Sequence, residues 1–304
     1  MSGTLFNVYI NSISSIPLHS TLSLYCDDIS LVTTAKSPTV LKKNLEEDLS
    51  RISLWLRFHY LLANESKSKY VMFHNKRRHE NFYELALNIR FNGRLIERVE
   101  HTKLLGLEID ETLSFTFHIY QLQKKIISFM FALKRIRCLI SDQTALLLYF
   151  AYIHSRLSYM NCIWSTTPKY MMDAIEIVQR KALRIVFSKD RLYSRSELYS
   201  EKILPVSLQC QLSSSILVFK MINNSAKLNF PIQYAFERHR HATRNANNIV
   251  VPTTATQLGS QNFFIRAYLD FNVIPAEIKK FVSLNLFKTR LREHLYIKQL
   301  WYDA

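Results

Sequence analysis

The sequence predicts an α+β fold, in which a small antiparallel sheet with one helix precedes a region built from helices. Short β-prone runs end near residue 113, and apolar residues at helical spacing follow from residue 114 onward. Glycine is scarce, with four among 304 residues, which favours helices over an architecture of many tight turns. The charge changes at the same point, since residues 1–113 carry 14 basic and 13 acidic side chains and residues 114–304 carry 26 and 11.

The first predicted feature is a hairpin with acidic residues at its tip. Residues 22–26 and 29–33 are β-prone runs, and Asp27 and Asp28 separate them. A helix is predicted to begin at Ser37-Pro38, because serine caps helices and proline suits their first turn. Its apolar positions recur every three or four residues and comprise Leu41, Leu45, Leu49, Ile52 and Leu56.

Three further β elements are predicted before residue 114. Residues 70–73 form a strand. Residues 87–91 and 95–99 form a second hairpin, because Asn92-Gly93 supplies the two positive φ angles of a type I′ turn. Residues 103–109 form a single strand, in which Gly106 indicates a close approach of another group to the backbone.

The region after residue 114 is predicted to contain helices. One has an apolar stripe from Ile119 to Leu133, and a second begins at Ser141-Asp142 and runs to about Tyr159. Three further helices are predicted: one begins near Pro168, one spans about 208–222, and the last spans 283–296. Residues 224–262 are polar and irregular.

Composition limits the class of protein. The net charge of +16 indicates a polyanionic partner for the basic part, and the alternative is a basic protein with solvated helix faces. The four cysteines contain no C-x-x-C pair, which excludes a zinc knuckle and fits a reducing compartment. Without a signal peptide or an apolar run of membrane-spanning length, the chain is expected to be intracellular, cytoplasmic or nuclear, and not secreted.

The sequence Tyr25-Cys26-Asp27-Asp28 carries the most specific chemistry. Two adjacent carboxylates on a hairpin tip can hold divalent cations that align a nucleotide triphosphate with a primer hydroxyl. Their hard oxygen donors suit Mg²⁺ or Mn²⁺. The alternative is an ordinary acidic turn, since aspartate is common in turns.

Several segments in the expected order resemble the reverse transcriptases of non-LTR retrotransposons of the jockey-like or I-like kind. Residues 22–32 (LSLYCDDISLV) resemble the catalytic Asp-Asp motif, and residues 2–11 the end of the preceding motif. Residues 55–73 resemble the next motif of the palm domain, and residues 102–118 the primer grip and the start of the thumb. The helix around Ile177–Arg184 resembles a later I-Q-x-x-x-x-R motif.

The resemblance implies a fold, a reaction and a site. Residues 1–113 would be a partial palm, residues 114–200 a helical thumb and residues 201–304 a basic C-terminal region. Asp27 and Asp28 would bind the metal, Lys67 would assist pyrophosphate departure, and a primer grip would comprise Leu104, Leu105 and Gly106. The partners would be an RNA template, a DNA primer and deoxynucleoside triphosphates, with no membrane. Lys67 as a solvated charge and the two leucines as plain core remain alternatives.

The sequence departs from the family in one respect that bears on activity. The family's first metal-binding aspartate and its fingers domain lie upstream of the Asp-Asp motif, and residues 1–26 contain no acidic residue. We therefore expect the 304-residue chain not to polymerise DNA alone, and to bind Mg²⁺ catalytically only if the site is completed.

Basic residues form three clusters in the later part of the chain. The first comprises Lys124, Lys125, Lys134, Arg135 and Arg137, and the second Arg180, Lys181, Arg184, Lys189 and Arg191. The third comprises Arg238, His239, Arg240, His241 and Arg244. They are expected to contact phosphates of a primer–template duplex. Two other hypotheses stay open: a non-catalytic nucleic-acid-binding protein, and a transposon relic that folds poorly because a sheet edge is exposed.

Overall fold

The computed structural model describes residues 3–73, 87–189, 198–199, 203–223, 225–226, 230, 232–237, 247–254, 259 and 262–302. Contacts within the chain divide it into two compact units, Met1–Thr102 and Lys103–Ala304. Mixed helices and small sheets agree with the predicted α+β class. The assignment of palm, thumb and C-terminal region to 1–113, 114–200 and 201–304 stays a prediction.

The first unit begins with helix α1 (Gly3–Ile10) and a 3₁₀ turn at Asn11–Ser15. Strands β1 (Thr21–Tyr25) and β2 (Asp28–Val32) then form an antiparallel hairpin in which Tyr25 pairs with Asp28. This confirms the predicted hairpin, with the difference that its two turn residues are Cys26 and Asp27.

Helix α2 (Pro38–Phe58) follows as predicted, with the Ser37 hydroxyl accepting a bond from the backbone N–H of Val40. Its buried face packs Ile52 and Leu56 against Ile10 and Ile13, and the hairpin strands add their half-buried aliphatic side chains to this cluster. The first unit therefore has its own small core beneath the β1–β2 hairpin.

The remaining strands are short: β3 (Lys69–Tyr70), β4 (Arg90–Phe91), β5 (Arg94–Leu95), β6 (Glu97–Arg98), β7 (His101–Leu104) and β8 (Leu107–Asp110). The β4–β5 turn has φ of 49° at Asn92 and 82° at Gly93, which confirms the predicted Asn-Gly hairpin. The predicted strand at 70–73 ends at Tyr70.

The expectation of one antiparallel sheet is wrong for the described part of the chain. There the strands form four separate pairs, and β3–β6 is parallel. Strands of two residues make too few ladder hydrogen bonds to extend a sheet, so each of these short strands keeps a single partner.

The predicted single strand at 103–109 is also wrong. The chain reverses at Leu105 and Gly106, whose φ angles are 47° and 84°, and β7 and β8 form a hairpin around them. The glycine adopts its positive φ at little cost, whereas a leucine in this region is strained and needs support from its surroundings.

The second unit is helical after β8. Its helices are α3 (Thr116–Ile136), α4 (Asp142–Tyr149), α5 (Ser155–Ser158), α6 (Asn161–Trp164), α7 (Lys169–Val186), α8 (Val206–Ile222), α9 (Phe263–Asn272), α10 (Ala276–Lys279) and α11 (Leu284–Tyr302). A π-helical segment, Phe150–His154, joins α4 to α5, so the predicted second helix is continuous with a local widening. The elements predicted from the sequence do not include α1, α6, α9 or α10.

Among the described residues, two apolar clusters stabilise this unit. In the first, the predicted α3 stripe packs Ile119, Ile126 and Leu133 against α7 and the π-helical segment. In the second, Phe219 of α8 stacks on Phe287 of α11, with centroids 4.2 Å apart. Within the described ranges, no helix is long and apolar enough to cross a membrane.

Candidate functional site

The predicted catalytic carboxylates lie at the tip of the β1–β2 hairpin. Cys26 has a φ of 53°, and Cys26, Asp27 and Asp28 are all exposed. Tyr25, which precedes them, is 61% exposed. The hairpin therefore presents two solvated carboxylates side by side, with an aromatic ring next to them.

These carboxylates fit a divalent metal site in part. Solvated carboxylate oxygens are the donors that Mg²⁺ and Mn²⁺ prefer. In the described portion of the chain, however, no group of three or more histidine, cysteine, aspartate or glutamate side chains can hold a metal ion. Asp27 and Asp28 would thus supply two ligand groups, with the others coming from water, substrate or another polypeptide segment.

Lys67 ends a short 3₁₀ helix, Glu65–Lys67, that is fixed by amide side chains. The Lys67 backbone N–H donates to Asn64 Oδ1 at 3.3 Å, and Asn92 Nδ2 donates to Glu65 Oε1 at 2.9 Å. The bond from Asn92 holds the pKa of Glu65 below its usual value. The Lys67 side chain is exposed, whereas Lys69 forms an ion pair with Glu97 at 3.4 Å.

Of the predicted primer-grip residues, Leu105 and Gly106 form the β7–β8 turn, and Leu104 is the last residue of β7. Tyr159 donates its hydroxyl hydrogen to the Leu105 carbonyl at 2.5 Å. A Cβ added at Gly106 would meet the Tyr159 ring at 3.4 Å. The contact with the Tyr159 ring confirms that Gly106 marks a close approach. The hydrogen bond from Tyr159 supplies the support that Leu105 needs at a positive φ.

A cleft of about 290 Å³ lies beside this turn, between β8, α3 and the helical segment that carries Tyr159. Its charged and polar lining comprises Glu108, His118, Gln121, Lys125, Ser155 and Arg156. His118 Nδ1 accepts the backbone N–H of Glu108 at 3.3 Å. Burial, and secondly the charge of Lys125, lowers the pKa of His118 to about 4. The imidazole is therefore neutral near pH 7, with its proton on Nε2.

Asp110 shapes the start of α3. Its carboxylate accepts backbone N–H bonds from Thr112 and Ser114 at 3.0 Å and from Phe115 at 2.8 Å. Burial alone would raise the pKa of Asp110, but these bonds together hold it below the usual value. They also stabilise Phe115 at a φ of 56°, so the residue directly before α3 is held in a sparsely populated conformation.

The first basic cluster divides into exposed and engaged residues. Lys124, Lys125, Lys134 and Arg135 are exposed on α3, and Lys124 Nζ lies 4.3 Å from the centroid of the Tyr120 ring. Arg137, by contrast, is engaged within the protein.

Arg137 holds the C-terminal end of α7. Its Nε donates to the carbonyls of Ile185 at 3.1 Å and Val186 at 2.9 Å, and its Nη2 pairs with Asp142. Placing Arg137 among the phosphate-binding residues is therefore wrong, because its guanidinium satisfies carbonyls that the helix end leaves without a partner.

The second cluster lies on α7. Lys181 is exposed, and Arg180 is half-buried with Nη1 4.0 Å from Glu176. The buried Nε of Arg184 has no hydrogen-bond partner among the described residues. Gln179 on the same helix is buried, and its amide group makes four hydrogen bonds, with Tyr149, Tyr199, Leu204 and Val206. Arg191 and the cluster at 238–244 lie outside the described residues.

Two residues that bear on the candidate sites were not predicted from the sequence. Arg156 lines the cleft beside the β7–β8 turn, and no local pattern singles it out. Asp48 is fully buried on α2. The signal for Asp48 was available, because it lies three residues after Leu45 and four before Ile52, on the apolar stripe itself.

Comparison with known proteins gives two relatives from Drosophila melanogaster. The chain is 26% identical over 197 residues to the RNA-directed DNA polymerase from mobile element jockey, which covers 60% of this chain and 20% of that protein. It is 22% identical over 180 residues to the probable RNA-directed DNA polymerase from transposon BS, covering 56% and 19%. No protein-family model and no solved structure matches the chain.

These relatives confirm the resemblance that the Asp-Asp hairpin and the neighbouring segments indicated. The chain spans about one fifth of the length of the curated relatives that it matches. It is similar to the RNA-directed DNA polymerases of non-LTR retrotransposons.

Proposed function

We propose that this chain is a fragment of an RNA-directed DNA polymerase of a non-LTR retrotransposon, and that Asp27 and Asp28 are two of its catalytic carboxylates. The observation that carries the proposal is their exposure at the tip of the β1–β2 hairpin, in a chain similar to two such polymerases. A bound Mg²⁺ or Mn²⁺ would supply charge neutralisation for nucleotidyl transfer. Lys67 would contribute a positive charge near the leaving pyrophosphate.

The 304-residue chain does not extend primers by itself under this proposal. Two carboxylates give an incomplete metal site, and the described residues contain no third ligand grouped with them. Positioning of the incoming nucleotide and template also requires groups beyond this hairpin. Primer extension on a primed RNA template with Mg²⁺ and deoxynucleoside triphosphates tests this: no extension is expected, and robust extension would overturn the claim of inactivity.

The second unit holds the nucleic acid. Residues 114–304 carry 26 basic and 11 acidic side chains, and four basic side chains of the first cluster are exposed on α3. Phosphate contacts of this kind are independent of sequence and sensitive to salt. The Leu105–Gly106 turn, held by Tyr159, would contact the primer strand, with Lys125 and Arg156 nearby in the same cleft.

An alternative function is non-catalytic nucleic-acid binding by the second unit, which the same exposed basic residues favour. The substitution Asp27→Asn distinguishes the two proposed functions. This substitution leaves duplex binding unchanged under both, and it removes polymerisation by a completed enzyme only under the first.

A further inference from the structure

A buried carboxylate lies at the opposite end of the hairpin from Asp27 and Asp28. Asp48 on α2 is 0% exposed. Its Oδ1 accepts the backbone N–H of His19 at 3.0 Å, and its Oδ2 accepts the backbone N–H of Ser20 at 2.8 Å. The Ser20 hydroxyl also donates to Oδ2, at 2.5 Å. One side chain therefore fixes the two residues that lead into β1.

The same contact reaches the second strand. Ser20 Oγ lies 2.5 Å from Thr33 Oγ1, directly after the end of β2. Because the Ser20 proton is directed at Asp48, Thr33 is the donor in this pair. The chain Asp48–Ser20–Thr33 thus joins α2 to both strands at the open end of the hairpin.

The hydrogen bonds to Asp48 matter because few other directional contacts among the described residues fix the position of the hairpin. Among the described residues, β1 and β2 pair with each other and with no third strand. The aliphatic side chains on their inner face pack against Ile13 and Ile52, and such packing is not directional. Hydrogen bonds to a buried carboxylate fix distance and angle together, and they fix the register of β1 relative to α2.

The hydrogen bonds that Asp48 accepts at the base of the hairpin are called the anchor below. A small change of angle at the anchor produces a larger displacement at the hairpin tip. Five residues of β-strand span about 17 Å, so a tilt of about 2° at the base moves the tip by about 0.6 Å. Catalytic groups have to be held to within about 0.5 Å of their productive positions. Loose anchoring at Asp48 would therefore exceed the tolerance of a metal site at Asp27 and Asp28.

We propose that Asp48 is a positioning residue, which sets the place of the Asp27–Asp28 tip through Ser20 and Thr33. The proposal rests on the proposed function for the role of the tip, whereas the anchoring itself depends on the contacts alone. It extends the candidate site by a residue that touches neither metal nor substrate.

The test compares Asp48→Asn with Glu47→Gln in the 304-residue chain. Glu47 is the partly exposed neighbour on α2 and contacts the His19 side chain at 3.1 Å, so Glu47→Gln removes a negative charge beside the same residue. A nitroxide on the exposed Cys26 reports motion of the tip, in a background where Cys138→Ser and Cys162→Ala remove competing thiols. Hydrogen exchange of residues 19–33 reports the strands, and Mn²⁺ titration of unlabelled protein reports the carboxylates.

We expect Asp48→Asn to mobilise the nitroxide, to speed exchange in 19–33 by about tenfold or more, and to raise the half-saturating Mn²⁺ concentration about threefold or more. Glu47→Gln leaves all three readouts at their original values. Ser20→Ala is the second variant, in case Asp48→Asn fails to fold, and the same changes in smaller degree are expected from it.

Two results would overturn the inference. Unchanged nitroxide motion and exchange in both Asp48→Asn and Ser20→Ala would show that the anchor does not hold the tip. A mobile tip with unchanged Mn²⁺ affinity would show that the anchor is structural only. Equal Mn²⁺ binding by the original chain and by the Asp27→Asn, Asp28→Asn double variant would refute the proposed function instead, leaving the nitroxide and exchange readouts to judge the anchor.

Discussion

Tyr159 donates its hydroxyl hydrogen to the carbonyl of Leu105, 54 residues earlier in the chain, at 2.5 Å. The bond ties the β7–β8 turn to the helical part of the second unit. It also explains how a leucine at a φ of 47° is held in a turn that the sequence analysis placed inside a strand.

Tyr159→Phe removes this bond and keeps the ring against Gly106. We expect a loss of about 1 kcal/mol in the free energy of unfolding, the net contribution of one neutral hydrogen bond. Chemical denaturation measures it. Tyr170→Phe, on an exposed tyrosine of α7, is the control and should change stability by less than about 0.5 kcal/mol. Equal effects of the two substitutions would contradict the role given to Tyr159.

Gln179→Leu tests the buried amide of α7. The substitution keeps the approximate volume but leaves the Leu204 carbonyl and the Val206 N–H without their partner. We expect a loss of about 3 kcal/mol or more, because buried polar groups without partners are costly. Gln143→Leu, on the exposed face of α4, is the control. A similar loss of stability there would contradict the role given to the hydrogen bonds of Gln179.

His118 makes stability depend on pH. Its pKa is lowered to about 4, first by burial and then by Lys125, whereas an unfolded histidine titrates near 6.5. Between these values the unfolded chain binds a proton that the folded chain does not. Stability is therefore complete above pH 6.5 and falls as the pH is lowered toward 4.

His118→Asn keeps an acceptor for the Glu108 N–H and cannot titrate. Urea denaturation at pH 7 and pH 4.5 should show that the original protein loses about 1–2 kcal/mol more than the variant, allowing for partial solvent screening. Burial also lowers the pKa of His154 and His294, but both are present in the two proteins and their effects cancel. An identical pH dependence would contradict the buried, neutral state of His118.

The exposed cations of α3 are expected to carry nucleic-acid binding. Replacing Lys124, Lys134 and Arg135 with glutamine should weaken binding to an RNA–DNA duplex and reduce the slope of log affinity against log salt by about 0.9 per lost phosphate contact. Replacing Lys36, Lys43 and Arg57, which are exposed in the first unit, changes the net charge equally and is the control. Equal effects of the two triple substitutions would indicate attraction by net charge alone.

What the sequence predicts well is local. The Asn92-Gly93 turn, the Ser141 cap and the α3 stripe each depend on residues within a few positions of one another, and the structure contains all three. The Asp27–Asp28 hairpin belongs to the same class, since its turn residues and flanking strands are contiguous.

What the sequence predicts poorly depends on partners far along the chain. The turn at Leu105 needs the hydrogen bond from Tyr159. Arg137 was expected to bind phosphate, but its guanidinium donates to carbonyls at the end of α7 instead. Asp48 accepts hydrogen bonds from Ser20, 28 residues earlier. Periodicity places such residues on a helix face, but it does not identify the atoms that they meet.

The central claim is that Asp27 and Asp28 are catalytic carboxylates of a polymerase. It is tested most directly by primer extension with a chimeric jockey polymerase, in which residues of this chain replace the segment that they match. We predict that the chimera extends a primer on RNA, that Asp27→Asn lowers the rate about 100-fold or more, and that Glu47→Gln leaves it unchanged. Extension at the same rate with Asp27→Asn as without it would contradict the claim.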